Sequence, residues 1–121
     1  MIATRLLRVL ADIAGVTGSF VVSPDGELSV HAMPDDQDEQ ELMLTARRVA
    51  RILQCGAANG VQGEEALFDF GAGKLLVREF IGGYLCVLCE GRVEMRSLRL
   101  TARLVARGMP RDLPVREAFA G

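Results

Sequence analysis

Glycine-interrupted apolar runs in the second half of the chain constrain its fold more than any other feature. Three runs with strand-like composition, 66–70, 74–81 and 84–89, are separated by breaks at 71–73 and 82–83. Each break contains two glycines, which tolerate the positive φ values that tight hairpin turns require. The pattern predicts a meander of three antiparallel strands.

A helix and a hairpin are predicted before this meander. Residues 2–14 carry apolar side chains at helical spacing, and Gly15 is expected to end the helix. Residues 16–23 and 27–32 have strand composition and flank the turn sequence Pro24-Asp25-Gly26. The first third of the chain is therefore expected to be helix, strand, turn and strand.

Residues 38–55 are predicted to form a second helix. Asp38 stands at the N-cap position, and Glu39 and Glu41 follow in the first turn, where negative charge is favourable. Apolar residues recur on one face at Leu42, Ala46, Val49 and Leu53. This helix connects the hairpin to the meander.

An arginine occurs at every third or fourth position between residues 92 and 107. At ~100° per residue the five side chains fall within an arc of ~80° on a helix; they are Arg92, Arg96, Arg99, Arg103 and Arg107. The other side carries Leu98, Thr101 and Val105, flanked by Val93, Leu100, Ala102 and Leu104. The pattern favours the solvated face of a helix that buries its apolar side. The alternative is a docking surface for an acidic partner, an anionic membrane or the acidic segment 35–39 of another chain.

The order of elements predicts a single α/β (α+β) sandwich. It consists of a five-stranded antiparallel sheet with helices on both faces, in the order α-β-β-α-β-β-β-α. Residues 1–108 are assigned to this domain, and residues 109–121, after the helix-stopping Gly108, to a C-terminal tail.

Composition argues against two classes of partner. A formal net charge of −2 and the absence of Trp do not suit nucleic-acid binding. The longest uninterrupted apolar run, 84–89, is far shorter than the ~20 residues that span a bilayer, and Arg8 and Asp12 interrupt the apolar run that a signal peptide needs. We expect a cytoplasmic protein without stable membrane insertion, whose cysteines are reduced thiols.

The cysteine and histidine positions do not predict a catalytic or metal site. Cys86 and Cys89 have C-x-x-C spacing, but they lie in a predicted strand, where side chains three positions apart point to opposite faces. His31 is the only histidine, so a catalytic triad or a multi-histidine metal site cannot be built within one chain.

Two further motifs fail on spacing. Residues 71–74 resemble a phosphate loop, but Leu75 stands where Ser or Thr should follow the lysine. Asp35, Asp36 and Asp38 lack the spacing of a calcium loop. We expect a protein that is not an enzyme and has no cofactor.

Two segments in their sequence context resemble the Roadblock family, which includes dynein light chains and bacterial regulators of Ras-like GTPases. These are residues 18–27 (GSFVVSPDGE), after a short amphipathic helix, and residues 74–89 (KLLVREFIGGYLCVLC), before a long final helix. The resemblance covers residues 2–108. It implies dimers in which an edge strand of each subunit pairs into one continuous sheet and the central helices pack side by side. The implied edge strand contains Glu65, Leu67, Phe68, Asp69 and Phe70.

The same resemblance implies a surface on the central helices that binds a small Ras-like GTPase and alters its nucleotide cycle without supplying catalytic groups. Carried over by position, this surface contains Glu41, Leu44, Arg47, Arg48, Arg51 and Gln54. The expected function is a homodimeric regulatory scaffold that binds a small GTPase or assembles a larger signalling or motility complex, as in bacteria. The alternative is a small-ligand sensory domain of the profilin, PAS or GAF kind, which the uniformly apolar strand positions disfavour.

Overall fold

The computed structural model describes residues 2–34, 38–58, 65–71 and 73–111, without the side chains of 56–58. These residues form three helices and five strands in the predicted order. The elements are α1 (Ile2–Ala11), β1 (Val16–Val22), β2 (Leu28–Ala32), α2 (Glu39–Ala58), β3 (Glu65–Asp69), β4 (Lys74–Phe80), β5 (Gly83–Cys89) and α3 (Met95–Gly108).

The five strands form one sheet in the order β2-β1-β5-β4-β3, and all neighbours are antiparallel. The N-terminal hairpin joins the meander through β1 and β5, where Phe20 stands opposite Cys86. This arrangement places β2 and β3 at the two edges and confirms the predicted fold class.

Helices cover both faces of the sheet. α1 and α3 pack on one face around Leu7, Leu76, Leu85 and Leu98. α2 packs on the other face in a second cluster, which includes Phe20, Leu42, Val49, Leu75 and Cys86. A strand buried on both sides has no need of a polar face, which is why β5 is apolar throughout and β4 is apolar in its buried part, 75–77.

The β1–β2 turn is built by Ser23 and Gly26. The Ser23 N–H donates to the Glu27 carbonyl at 2.8 Å, and the Ser23 hydroxyl accepts from the Glu27 N–H at 3.1 Å. Gly26 has a φ of 91°, in the region that favours glycine. The predicted Pro24-Asp25-Gly26 turn thus has a specific hydrogen-bonded form.

The β4–β5 turn depends on a glycine for two reasons. Gly83 has a φ of 141°, and a Cβ atom at this position would collide with the Val22 carbonyl of β1. Close approach of a neighbouring backbone is therefore the reason for a glycine at this point in the sheet.

Several element boundaries differ from the predicted ones by a few residues. α1 ends at Ala11, three residues early, while α2 continues through Gly56 to Ala58, since one glycine costs a helix only ~1 kcal/mol. β3 ends at Asp69, so Phe70 belongs to the following turn. β4 ends one residue early, and β5 begins one residue early, at Gly83.

The start of α3 corrects the prediction that all five arginines lie on one helix face. Glu94 caps the helix, because its carboxylate accepts the Ser97 N–H at 2.6 Å. Hydrogen bonds from the Ser97 hydroxyl and backbone N–H hold the pKa of the Glu94 carboxyl below its ordinary value. Arg92 therefore precedes the helix, and only Arg96, Arg99, Arg103 and Arg107 belong to it.

Candidate interaction surfaces

The outward side of α2 carries every residue of the predicted GTPase-binding surface. Leu42, Ala46, Val49 and Ala50 face the sheet and are buried. All six predicted residues are exposed: Glu41, Leu44, Arg47, Arg48, Arg51 and Gln54. Ile52 is also exposed, and sequence reasoning missed it. These seven residues are called the outer face of α2.

Two residues of the outer face of α2 contact the β1–β2 turn of the same chain. The Gln54 side-chain amide donates to the Pro24 carbonyl at 3.0 Å. The Arg47 guanidinium lies 3.7 Å from the Glu27 carboxylate, and both side chains are largely solvated, so this pair adds little stability. These contacts hold the turn against the helix.

β3 presents an open edge. Within the described residues, β3 is paired with β4 alone, from Glu65 opposite Arg78 to Asp69 opposite Lys74. Its Leu67 is 39% exposed, and Phe70 in the following turn is 65% exposed. A strand edge with exposed apolar side chains favours association with another strand.

Glu65 ties this edge to two other elements. Its carboxylate lies 3.6 Å from Arg78 of β4 and 3.2 Å from Arg99 of α3. The Glu65 and Arg78 side chains are mostly buried. Arg99 was predicted to lie on the solvated face of a helix. It instead belongs to a cluster of charged residues that positions the edge strand.

The outward side of α3 is more apolar than predicted. Leu98, Ala102 and Val105 are buried, as expected, but Leu100 and Leu104 are each 57% exposed. They lie beside three exposed arginines. This surface is called the Leu-Arg face of α3 and consists of Arg96, Leu100, Arg103, Leu104 and Arg107.

The residues considered for catalysis or metal binding lie apart. Cys86 faces the α2 cluster and Cys89 the opposite cluster, as strand geometry predicts. Burial raises the pKa of both thiols. His31 lies half-buried in β2, opposite Phe20 of β1. Within residues 2–34, 38–58, 65–71 and 73–111, three or more His, Cys, Asp or Glu residues nowhere come together as a metal site.

The remaining two motifs have structural roles where they are described. The Phe70 N–H donates to the Gly73 carbonyl at 2.9 Å and closes the β3–β4 turn. Asp38 accepts the Gln40 N–H at 2.9 Å at the start of α2, whereas Asp35 and Asp36 lie outside the described residues. None of the described helices has the length and apolar character needed to cross a membrane.

Solved structures with the same fold were found by structural comparison. A Roadblock/LC7 domain from Streptomyces avermitilis superposes with a TM-score of 0.75 at 15% identity, covering 85% of this chain and 90% of that one. The gliding protein MglB from Thermus thermophilus gives a TM-score of 0.77 at 14% identity, covering 88% and 84%. Myxococcus xanthus MglB gives 0.74 at 19% identity, covering 88% and 89%.

The chain has the Roadblock/LC7 fold. The resemblance inferred from residues 18–27 and 74–89 is thereby confirmed at the level of the fold. No protein-family model matches the sequence, and no curated protein sequence matches it. At 14–19% identity the likeness establishes the fold alone, so the surfaces of this chain must be interpreted from its own residues.

Proposed function

We propose that this protein is a homodimeric regulatory scaffold whose β3 strands pair across the subunit boundary. The open edge of β3, with Leu67 and Phe70 exposed, is the observation that carries this proposal. Antiparallel pairing of two such edges would satisfy their free N–H and C=O groups and would shield Leu67 from water.

Twofold symmetry would place both α2 helices on the same side of the joined sheet. The outer face of α2 would then be presented twice, with Leu44 and Ile52 as apolar contacts. Arg48 and Arg51 add positive charge to this surface. Such a combination suits a protein partner with an acidic, partly apolar binding region.

A small Ras-like GTPase is the partner that we propose for this surface. The resemblance to Roadblock proteins supplies the partner class, and the exposure of all six implied residues supports it. The scaffold would act by binding one nucleotide state of the GTPase more tightly than the other, which shifts the population of its switch conformations. The proposed role of the α2 arginines is binding rather than catalysis, because side chains on a helix face of the dimer are poorly placed to enter a nucleotide pocket.

The ligand-sensing alternative receives no specific support. Among the residues described, only Ser19 and Ser29 are both polar and buried. A small-ligand pocket needs several convergent polar groups within an apolar cavity.

The dimer is tested by the light-scattering mass of the purified protein and of its Leu67→Glu variant. The unmodified 13.1 kDa chain should have the mass of a dimer, and Leu67→Glu should give a folded monomer, because a charge in the paired edge would be buried. Ile81→Glu is the matched control, because Ile81 is also exposed but lies in the β4–β5 turn. A monomeric unmodified protein, or a Leu67→Glu variant that stays dimeric, would contradict the paired edge.

The GTPase surface is tested separately with the double variant Arg48→Glu/Arg51→Glu. The probe is a small Ras-like GTPase from the same organism, loaded with GDP or with a non-hydrolysable GTP analogue. We expect the unmodified dimer to prefer one state by about tenfold or more, a difference of ~1.4 kcal/mol. The double variant should remain a dimer and lose this binding; equal affinity for both states would exclude regulation by this route.

A further inference from the structure

The Leu-Arg face of α3 combines exposed leucines and arginines that the proposed dimer and GTPase surface do not use. The two leucines stand four residues apart, with Arg96 one turn before Leu100 and Arg107 at the end of the helix. At ~1.5 Å per residue the face extends ~16 Å along the helix axis.

Among the described residues, the arginines of this face have little opposite charge beside them, and Glu94 is the one carboxylate whose pKa an arginine of the face, Arg96, helps to lower. Arg92 pairs with Glu90 at 3.4 Å, and Arg99 pairs with Glu65 at 3.2 Å. Over the part of the chain that the structure describes, Arg96, Arg103 and Arg107 form no ion pair. The unpaired arginines are therefore those that lie beside the exposed leucines.

We propose that the Leu-Arg face of α3 docks an amphipathic helix that presents acidic side chains beside apolar ones. Positions 96, 100, 103 and 107 are separated by four, three and four residues, which is the spacing of a helix–helix seam. A partner helix with Leu and Glu at matching intervals would bury Leu100 and Leu104 while pairing the arginines.

The shape of this surface favours a helix over a membrane. Met95, Arg96, Arg99, Leu100 and Arg103 line a shallow open groove of about 360 Å³. The side chains of a docked helix can project into such a groove. The main apolar side of α3 is packed on the sheet, so only Leu100 and Leu104 remain to enter a bilayer.

A second copy of the same face is a poor partner. Two Leu-Arg faces in contact would bring arginines opposite arginines, and like charges in contact are unfavourable. The occupant is thus a different, acidic segment.

The test uses a displayed library of helical peptides in which the seam positions are randomised. Peptides are selected on the full-length protein and counter-selected on the variant Arg96→Glu/Arg103→Glu. Both arginines are exposed, so the variant should keep its fold and its light-scattering mass. We expect enrichment of Leu with Glu or Asp at intervals of three and four residues.

A selected peptide is then synthesised and titrated against the variants. Arg96→Glu/Arg103→Glu and Leu100→Ser/Leu104→Ser should each weaken binding by about tenfold or more. Arg8→Glu, an exposed arginine of α1, should leave it unchanged. Exchanging the peptide's acidic residues for Lys should restore binding to the Arg96→Glu/Arg103→Glu variant, because the charge order is then reversed on both sides.

Three outcomes would overturn the proposal. The first is a selection that enriches no acidic-apolar pattern, and the second is binding that survives the double arginine change. The third is arginine-dependent sedimentation with phosphatidylserine vesicles but not with phosphatidylcholine vesicles, together with no peptide binding, which would assign the face to a membrane. None of these outcomes depends on β3 pairing, so this proposal and the proposed dimer can fail independently.

Discussion

At the scale of single residues, Glu65 shows what sequence reasoning could and could not predict. Its place at the start of an edge strand was expected from the resemblance to Roadblock proteins. Its two partners, Arg78 and Arg99, lie in other elements, 13 and 34 residues away along the chain. No local sequence pattern could predict these ion pairs. Arg99 has the same spacing as its neighbours in the arginine series, and only the packing of α3 beside β4 distinguishes it.

Removing the charge of Glu65 should therefore destabilise the fold. In Glu65→Gln, Arg78 and Arg99 each lose one ion pair, and the side chain of Arg78 is only 12% exposed. We expect the free energy of unfolding to fall by ~1–2 kcal/mol, as measured by urea denaturation at fixed protein concentration.

Glu90→Gln provides the matched control for this change. Glu90 pairs with Arg92, but both side chains are well exposed, so the change should lie within ~0.5 kcal/mol of the unmodified protein. Equal effects of the two substitutions would contradict the structural role assigned to Glu65.

At the scale of elements, the strands were predictable because glycines separate them. The breaks at 71–73 and 82–83 predicted the meander, and the apolar segments 75–77 and 84–89 reflect burial on both faces of the sheet. Boundaries were less predictable. α3 begins at Met95 because Glu94 caps it, and glutamate is not among the residues that usually signal a cap.

Exposure on the helices was predicted only in part. The apolar residues of α3 span more of its circumference than the sheet can cover, so the sequence pattern alone could not show which leucines are buried. Leu98 packs against the sheet, whereas Leu100 and Leu104 do not. On α2 the six residues implied by the resemblance are exposed, but the exposure of Ile52 was not predicted.

The β4–β5 turn should tolerate only glycine at position 83. In Gly83→Ala the added Cβ meets the Val22 carbonyl, and φ stays in a region unfavourable for alanine. We expect a loss of more than ~2 kcal/mol in urea denaturation, or failure to fold.

Gly91→Ala is the control for the glycine substitution. A Cβ at Gly91 would have no atom within 4 Å, and the residue has no positive φ. Its stability should stay within ~0.5 kcal/mol of the unmodified protein. If Gly83→Ala were as stable as Gly91→Ala, the Val22 carbonyl of β1 would not be held against position 83, and the role assigned to Gly83 would be wrong.

At the scale of the whole molecule, one sheet separates two apolar layers, so the question is whether the two layers come apart together when the protein unfolds. Cys86 lies in the layer under α2, and Cys89 lies in the layer under α1 and α3. Both layers use β4 and β5, whose side chains alternate between them, so we expect the molecule to unfold as a single cooperative unit.

Thiol labelling measures this cooperativity directly. Cys55 is exposed and should react at once with an aromatic disulfide reagent, whereas Cys86 and Cys89 should react only through unfolding. The free energy of opening is measured for Cys86 and for Cys89, each in a variant with the other cysteines changed to Ala, and it should equal the free energy of unfolding of that same variant in urea. Earlier reaction of Cys89 would show that the α1–α3 layer separates from the sheet before the α2 layer does.

Because α1 packs beside α3 on one face of the sheet, the protein can be attached to a surface through that face. Leu6 of α1 lies next to Gly108 at the end of α3, on the side of the sheet away from α2. A surface anchor attached to an exposed residue of α1, such as Arg5 or Arg8, would hold the molecule with its α2 side turned toward solution.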